Sequence, residues 1–189
     1  MKNKLAIFDL DGTLFDTKDV NFSAYFEAIT KAGFEVDIDY DFYCKFCNGS
    51  NYKDFLPKIV NGITFEKMEE IHEYKKIYYP KYLNKARKNE SLFSLIESIK
   101  NDYYIALVTV ASKKNSFDIL ETFDVKNVFE LIIAKDDVIK TKPNPECFIQ
   151  AMKYFNIDAN NTIIFEDSEI GLEAARLSKA NYIKVFGYN

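Results

Sequence analysis

A single histidine, His72, and only three cysteines in 189 residues leave little room for several common chemistries. Ser-His or Cys-His catalysis would have to run through that one imidazole, which lies in a charged helical segment where a solvated or seam position is its ordinary role. Cys44, Cys47 and Cys147 are odd in number, so a disulfide framework is not expected. Cys44-Lys45-Phe46-Cys47 has C-x-x-C spacing, but no second Cys pair or His pair stands at zinc spacing, and its aromatic surroundings suit cysteine as a small apolar residue. Long apolar runs are missing too, and none approaches bilayer length. The basic start, Met1-Lys2-Asn3-Lys4, is followed by an apolar run that meets Asp9 too soon for a signal-peptide core, so a cytoplasmic protein is expected. Excess positive charge is absent: the formal net charge of −4 argues against nucleic acid or an anionic membrane as partner. Internal repeats and low-complexity tracts are also lacking.

What the chain does have is core-forming material, 48% apolar and 16% aromatic against 29% charged, enough for one real core and a small second module. Five short apolar runs rich in β-branched and aromatic residues read as strands: Leu5–Phe8, Tyr103–Val108, Leu131–Ala134, Thr162–Phe165 and Tyr182–Phe186. Their apolar character is continuous rather than alternating, which predicts burial on both faces in a parallel sheet. Helical patterns lie between them, with Leu92, Leu95, Ile96 and Ile99 on one face of 91–99. A further helix carries Phe148, Ala151, Met152 and Phe155, with Pro145 expected at its first position. The fold class is therefore α/β, an open Rossmann-like parallel sheet flanked by helices.

Residues 16–84 break this rhythm. They hold helical patterns only: Phe22, Phe26 and Ile29 up to a stop at Gly33, and a helix capped by Thr64 that begins acidic and ends basic before Pro80. The expected organisation is a core of 1–15 and 85–189 with an inserted helical cap of 16–84.

Open α/β sheets bind ligands at the carboxyl ends of their strands. Here those ends are chemically purposeful: Asp9 and Asp11 after the first strand, Thr109, Ser112 and Lys113 after the second, Glu166-Asp167-Ser168 after the fourth. Lys140-Thr141-Lys142-Pro143-Asn144-Pro145-Glu146 precedes the helix leading to that fourth strand. Two carboxylates as close as Asp9 and Asp11 ionise together only with a cation nearby, or else one keeps a proton. Singly each feature has a plain structural reading, but four in order at successive strand ends point to one site for a metal and an anion.

The sequence resembles the haloacid dehalogenase-like hydrolase superfamily, in the branch with a helical cap inserted after the first motif. The resemblance covers the whole chain and rests on Asp9-Leu10-Asp11-Gly12-Thr13-Leu14-Phe15-Asp16, on Thr109 in Leu107-Val108-Thr109, on Lys142 in Lys142-Pro143-Asn144-Pro145-Glu146, and on Phe165-Glu166-Asp167-Ser168 with Gly171. It implies that Asp9 is a nucleophile taking up a phosphoryl group, that Asp11 is the acid and base, and that Thr109 and Lys142 hold the phosphoryl oxygens. It further implies Mg²⁺ held by Asp9, the backbone carbonyl of Asp11 and Asp167, with Glu166 nearby as a support to these or an alternative ligand. Lys140 is a rival for the role of Lys142 from the same loop.

Asp11 argues against dehalogenation, because a halide leaving group needs no proton. The expected activity is a Mg²⁺-dependent phosphatase acting on a small phosphomonoester, as a monomer or homodimer, with Ser112, Lys113, Asn48, Gly49, Asn51 and Lys53 as candidate substrate contacts. A β-phosphoglucomutase-like mutase is the alternative reading. Against it, Asn21 stands where the resemblance would place a cap histidine, and the loop around Gly49 lacks the expected arginine. A catalytically inactive phosphometabolite-binding protein is the more remote one.

Overall fold

The computed structural model describes residues 2–186 and 188. The chain forms two compact units, one running to Asp16 and resuming at Arg87, the other being Thr17–Ala86.

The first unit is built on a five-stranded parallel sheet in the order β5-β4-β1-β6-β7. The strands are β1 (Lys4–Phe8), β4 (Tyr103–Val108), β5 (Leu131–Ile133), β6 (Thr162–Glu166) and β7 (Asn181–Lys184). β1 lies at the centre, and its Leu5, Ala6, Ile7 and Phe8 are all fully buried. Alternate side chains of a strand point to opposite faces. Leu5 and Ile7 accordingly join Ala106, Val108 and Ile164 in a core with Phe148 and Ala151 of α7 (Glu146–Phe155) and Ala174 and Ala175 of α8 (Glu169–Ser178). Phe8 stacks on Phe165 of β6, ring centroids 4.5 Å apart. Phe15 packs near Phe93 of α5 (Glu90–Ile99) and Phe123, just beyond α6 (Lys113–Thr122).

Two expectations need correction here. The last strand is not buried on both faces: all four residues of β7 are exposed, because among the described residues it is the edge of the sheet, paired with β6 alone. Pro145 is the N-cap of α7 rather than its first helical residue, which is Glu146. One element had no signal in the sequence. β2 (Phe15–Asp16) and β3 (Arg87–Lys88) form a two-stranded antiparallel ribbon where the chain leaves and re-enters this unit. Arg87 donates to the buried carboxylate of Asp16 at its base.

The second unit is helical: α1 (Lys18–Lys31), α2 (Tyr40–Phe46), α3 (Tyr52–Ile59) and α4 (Phe65–Tyr78). Three of them start on side-chain caps, in which Asp39, Asn51 and Thr64 accept from the backbone amides of Phe42, Lys53 and Lys67. Tyr25, Ala28, Ile29, Tyr43, Cys47, Phe55, Leu56 and Ile71 form its core. The buried stripe of α1 runs through Val20, Ala24, Tyr25, Ala28 and Ile29, so Phe26 is left 41% exposed at its border, its ring 5.9 Å from that of the partly buried Phe22. His72 occupies a seam, its Nδ1 3.1 Å from the Tyr25 hydroxyl and its ring stacked 3.9 Å from that of Tyr52. The three cysteines are free thiols. Among the described residues no helix is long and apolar enough to cross a membrane.

Candidate active site

The sheet register brings the polar strand ends together. Phe8 pairs with Leu107 on one side and Phe165 on the other, so Asp9, Thr109 and Glu166 emerge at one edge. The Asp9 amide donates to the Phe165 carbonyl at 3.0 Å, and that of Thr109 to Ile133 at 2.9 Å. Both residues are therefore held by the sheet although they stand just past it.

Lys142 is the centre of the cluster. Its ammonium donates to Asp9 Oδ1 at 2.7 Å, to Glu166 Oε2 at 2.6 Å and to the Val108 carbonyl at 3.0 Å. All three ionisable groups are almost wholly buried. Lys140, by contrast, is exposed, and its backbone amide is tied to Glu146 Oε2 at 3.0 Å. Glu146 also accepts from the Ile139 amide at 2.8 Å, so its carboxylate fastens the loop that carries Lys142 into the cluster.

Asp167 completes the site. Its Oδ1 accepts from the Thr13 hydroxyl at 3.0 Å. A Cβ on Gly12, which adopts φ +88°, would stand 2.1 Å from its Oδ2, so the first loop needs glycine here for both its backbone and its clearance. Ligand oxygens of Asp9, Glu166 and Asp167 all lie within 4.8 Å of one another. The side chain of Asp11 is not among them, though its charge reaches Asp167.

Three carboxylates face one ammonium, and the electrostatics reflect the surplus. Burial, then repulsion from Glu166, pushes the Asp9 carboxyl well above the usual range against the pull of Lys142. Burial and the Glu166 charge likewise push Asp167 up to about 6. Burial alone would lower the Lys142 ammonium, but the carboxylates of Asp9 and Glu166 outweigh it and hold it above its ordinary value. A divalent cation beside Asp9 and Asp167 would leave the cluster near neutrality. The donors are all oxygen, with no His or Cys, and that set suits Mg²⁺. Glu166 is less available: its Oε2 carries Lys142, while its Oε1 accepts from the Ser168 hydroxyl at 2.8 Å and from the amides of Asp167 and Ser168 at 3.2 Å.

The remaining candidates have mainly local partners. Thr109 is buried, and its hydroxyl oxygen accepts from the Ala111 amide at 3.0 Å. Ser112 caps α6 by accepting from the Asn115 amide. Lys113 pairs with Asp137 at 2.9 Å, and its amide donates to Asp136 at 2.6 Å. Asn48, Gly49, Asn51 and Lys53 belong to the helical unit. There Asn51 caps α3 and Lys53 pairs with Glu69 at 3.0 Å, while Gly49 adopts φ +77° and Asn48 donates its amide to the Tyr43 carbonyl. Thr13, Glu146 and Ser168 stand within the four sequence motifs, where nothing in the local sequence marks their bonds to Asp167, to the amides of Ile139 and Lys140, and to Glu166.

Residues 6–185 match the sequence profile of the haloacid dehalogenase-like hydrolase family. The chain is 26% identical over 187 residues to the phosphorylated carbohydrates phosphatase of Thermotoga maritima, covering 96% of this chain and 83% of that protein. It is 23% identical over 191 residues to the fructose-1-phosphate phosphatase YqaB of Escherichia coli, covering 95% and 94%. Its fold superposes on CbbY from Rhodobacter sphaeroides, solved in complex with phosphate, with a TM-score of 0.85 over 100% of this chain and 88% of that one at 23% identity.

Proposed function

The chain belongs to the haloacid dehalogenase-like hydrolases, and from that premise we propose that it is a Mg²⁺-dependent phosphatase that hydrolyses a small phosphomonoester through an aspartyl-phosphate on Asp9. The observation that carries this reading is the buried Asp9–Lys142–Glu166 cluster with Asp167 beside it. Its surplus negative charge calls for a cation, and a cation together with the Lys142 ammonium makes a seat for a phosphoryl group.

Asp9, the backbone carbonyl of Asp11 and Asp167 would hold the Mg²⁺, which when bound neutralises charge on the phosphoryl oxygens. A carboxylate attacking an anionic phosphate faces repulsion, and Lys142 reduces it while fixing the attacking group. The Asp9 oxygen bonds to phosphorus as the ester P–O bond breaks, and the departing alkoxide takes its proton from Asp11. Asp11, now a carboxylate, takes a proton from water as the water oxygen bonds to phosphorus and the Asp9–phosphorus bond breaks. Thr109 supplies a hydroxyl to the phosphoryl oxygens. The phosphatases named above act on phosphorylated sugars, and we place the substrate of this chain in that class or among other small phosphorylated metabolites.

The test is turnover of p-nitrophenyl phosphate with and without Mg²⁺, by the wild type and by Asp9→Asn. Mg²⁺-dependent release of nitrophenolate by the wild type, with a loss of roughly 10³-fold or more in kcat for the variant, is expected. A variant of near-wild-type activity rejects the covalent role of Asp9.

A further inference from the structure

Gly171 is the third residue of α8, in the first turn after the N-cap Ser168, whose hydroxyl oxygen accepts the Gly171 amide at 3.1 Å. Nothing in its backbone asks for glycine, since its φ lies outside the left-handed region. By helix propensity alone, alanine would be the better residue here. The space around it points the other way. A Cβ at this position would stand 2.0 Å from Glu166 Cδ, 2.2 Å from Oε2 and 2.4 Å from Oε1, far inside any tolerable contact. The crowded group is not the free end of a flexible side chain. Glu166 is 1% exposed, its Oε1 is held by Ser168 and two backbone amides, and its Oε2 carries the ammonium of Lys142. Lys142 in turn reaches Asp9 Oδ1 at 2.7 Å.

We propose that Gly171 is a positioning residue: the volume its missing side chain leaves is the seat of the Glu166 carboxylate, and through Glu166 it sets where Lys142 is held against Asp9. Glu166 then serves as the anchor of Lys142 rather than as a metal ligand. The catalytic consequence rests on the phosphatase reading, whereas the geometric one does not. A methyl group at 171 must displace the carboxylate, and a displacement of about 1 Å at such a site costs on the order of 10²-fold in rate.

The experiment compares Gly171→Ala, Glu166→Asp and the double variant in the full-length chain. Each is checked for folding by circular dichroism and thermal melting, then assayed for kcat on p-nitrophenyl phosphate, and the crystal structure of Gly171→Ala is determined. Gly171→Ala is expected to stay folded and to lose roughly 10- to 100-fold in kcat. Shortening Glu166 by one methylene withdraws its carboxylate from the new methyl group, so the double variant is expected to be no worse than Glu166→Asp alone. Independent defects would instead multiply, and a multiplied loss overturns the proposal, as does full activity of Gly171→Ala. Should Gly171→Ala unfold, recovery of folding in the double variant supports the proposal, and failure of both places the constraint in helix packing and overturns it. In the crystal, a Glu166 carboxylate still within hydrogen-bond distance of Lys142 contradicts the proposal whatever the activity. If the wild type proves inactive, the functional reading fails while this structural arm still decides the role of Gly171.

Discussion

The α/β unit and the helical unit each bury an apolar core, the first mainly aliphatic around its sheet and the second rich in tyrosine, but they place their charges differently. In the α/β unit Asp9, Lys142 and Glu166 are buried together, the Lys142 ammonium lying 2.6–2.7 Å from a carboxylate oxygen of each acid. In the helical unit the ion pairs Lys53–Glu69, Lys67–Glu70, Lys76–Glu73, Lys81–Glu27 and Lys85–Asp19 are at least partly exposed to solvent. Its buried Lys75 lies over the rings of Tyr79 and Tyr25 at 4.5 and 5.4 Å. Exposed pairs are each worth about 0–1 kcal/mol, whereas removing one partner of a buried pair costs about 3–5 kcal/mol because a charge is left stranded. The first arrangement adds little net stability, because desolvation offsets the attraction among its charges, and a role in chemistry accounts for it better than a role in folding. The second is ordinary solvation of a helical surface around an aromatic core. Chemistry is therefore expected to fail when the first unit is altered, and stability alone when the second is.

The largest effect should come from Lys142→Ala. It strands Asp9 and Glu166 in a buried site, so a loss of about 3–5 kcal/mol in unfolding free energy is expected, together with loss of turnover. Added Mg²⁺ should restore part of the stability, since it supplies charge where the ammonium was, but not the activity. Chemical denaturation with and without Mg²⁺ checks this, and an unchanged midpoint would mean that the cluster carries no surplus charge.

A pH series sharpens the electrostatic side of the contrast. Asp167 has a folded-state value raised to about 6 from the usual 3.8. In metal-free protein its contribution to stability is therefore fully present below about pH 4 and is lost as pH rises through about 6. Mg²⁺ needs the ionised carboxylate, so the rise in Tm on adding Mg²⁺ should be full above about pH 7 and should shrink as pH falls through 6. Calorimetric scans at pH 5, 6 and 7.5 measure it. A Mg²⁺-induced shift that does not vary with pH removes Asp167 from the metal site.

Asn51→Ala probes the helical unit and should have the smallest effect. Loss of the cap on α3 is expected to cost about 1 kcal/mol, roughly 2–4 °C in Tm for a chain of this size, with kcat preserved. A raised KM at unchanged Tm would break the comparison and give Asn51 a substrate contact instead of a structural one.

The two units were also unequally legible in the sequence. The strands of the α/β unit announce themselves as β-branched apolar runs, and the residues just after them mark the site. What those residues do to one another is less visible, because Lys142 is 133 positions from Asp9 and 24 from Glu166. Only the register of β1 against β4 and β6 makes them neighbours. The ribbon of β2 and β3 is too short for any periodicity, and an apolar run such as Tyr182–Phe186 does not reveal whether its strand is central or at an edge. In the helical unit, caps such as Thr64 could be read directly, whereas the aromatic seam of Tyr25, Tyr52 and His72 joins three helices and has no local signature.

The most direct test of the account is the stereochemical course at phosphorus, measured by hydrolysing in ¹⁷O-enriched water an ¹⁸O-labelled phosphorothioate monoester that is chiral at phosphorus. Attack by Asp9 followed by attack of water amounts to two in-line displacements, each inverting the centre. Net retention of configuration in the thiophosphate product is the expected result, and net inversion, the signature of direct attack by water, would contradict it.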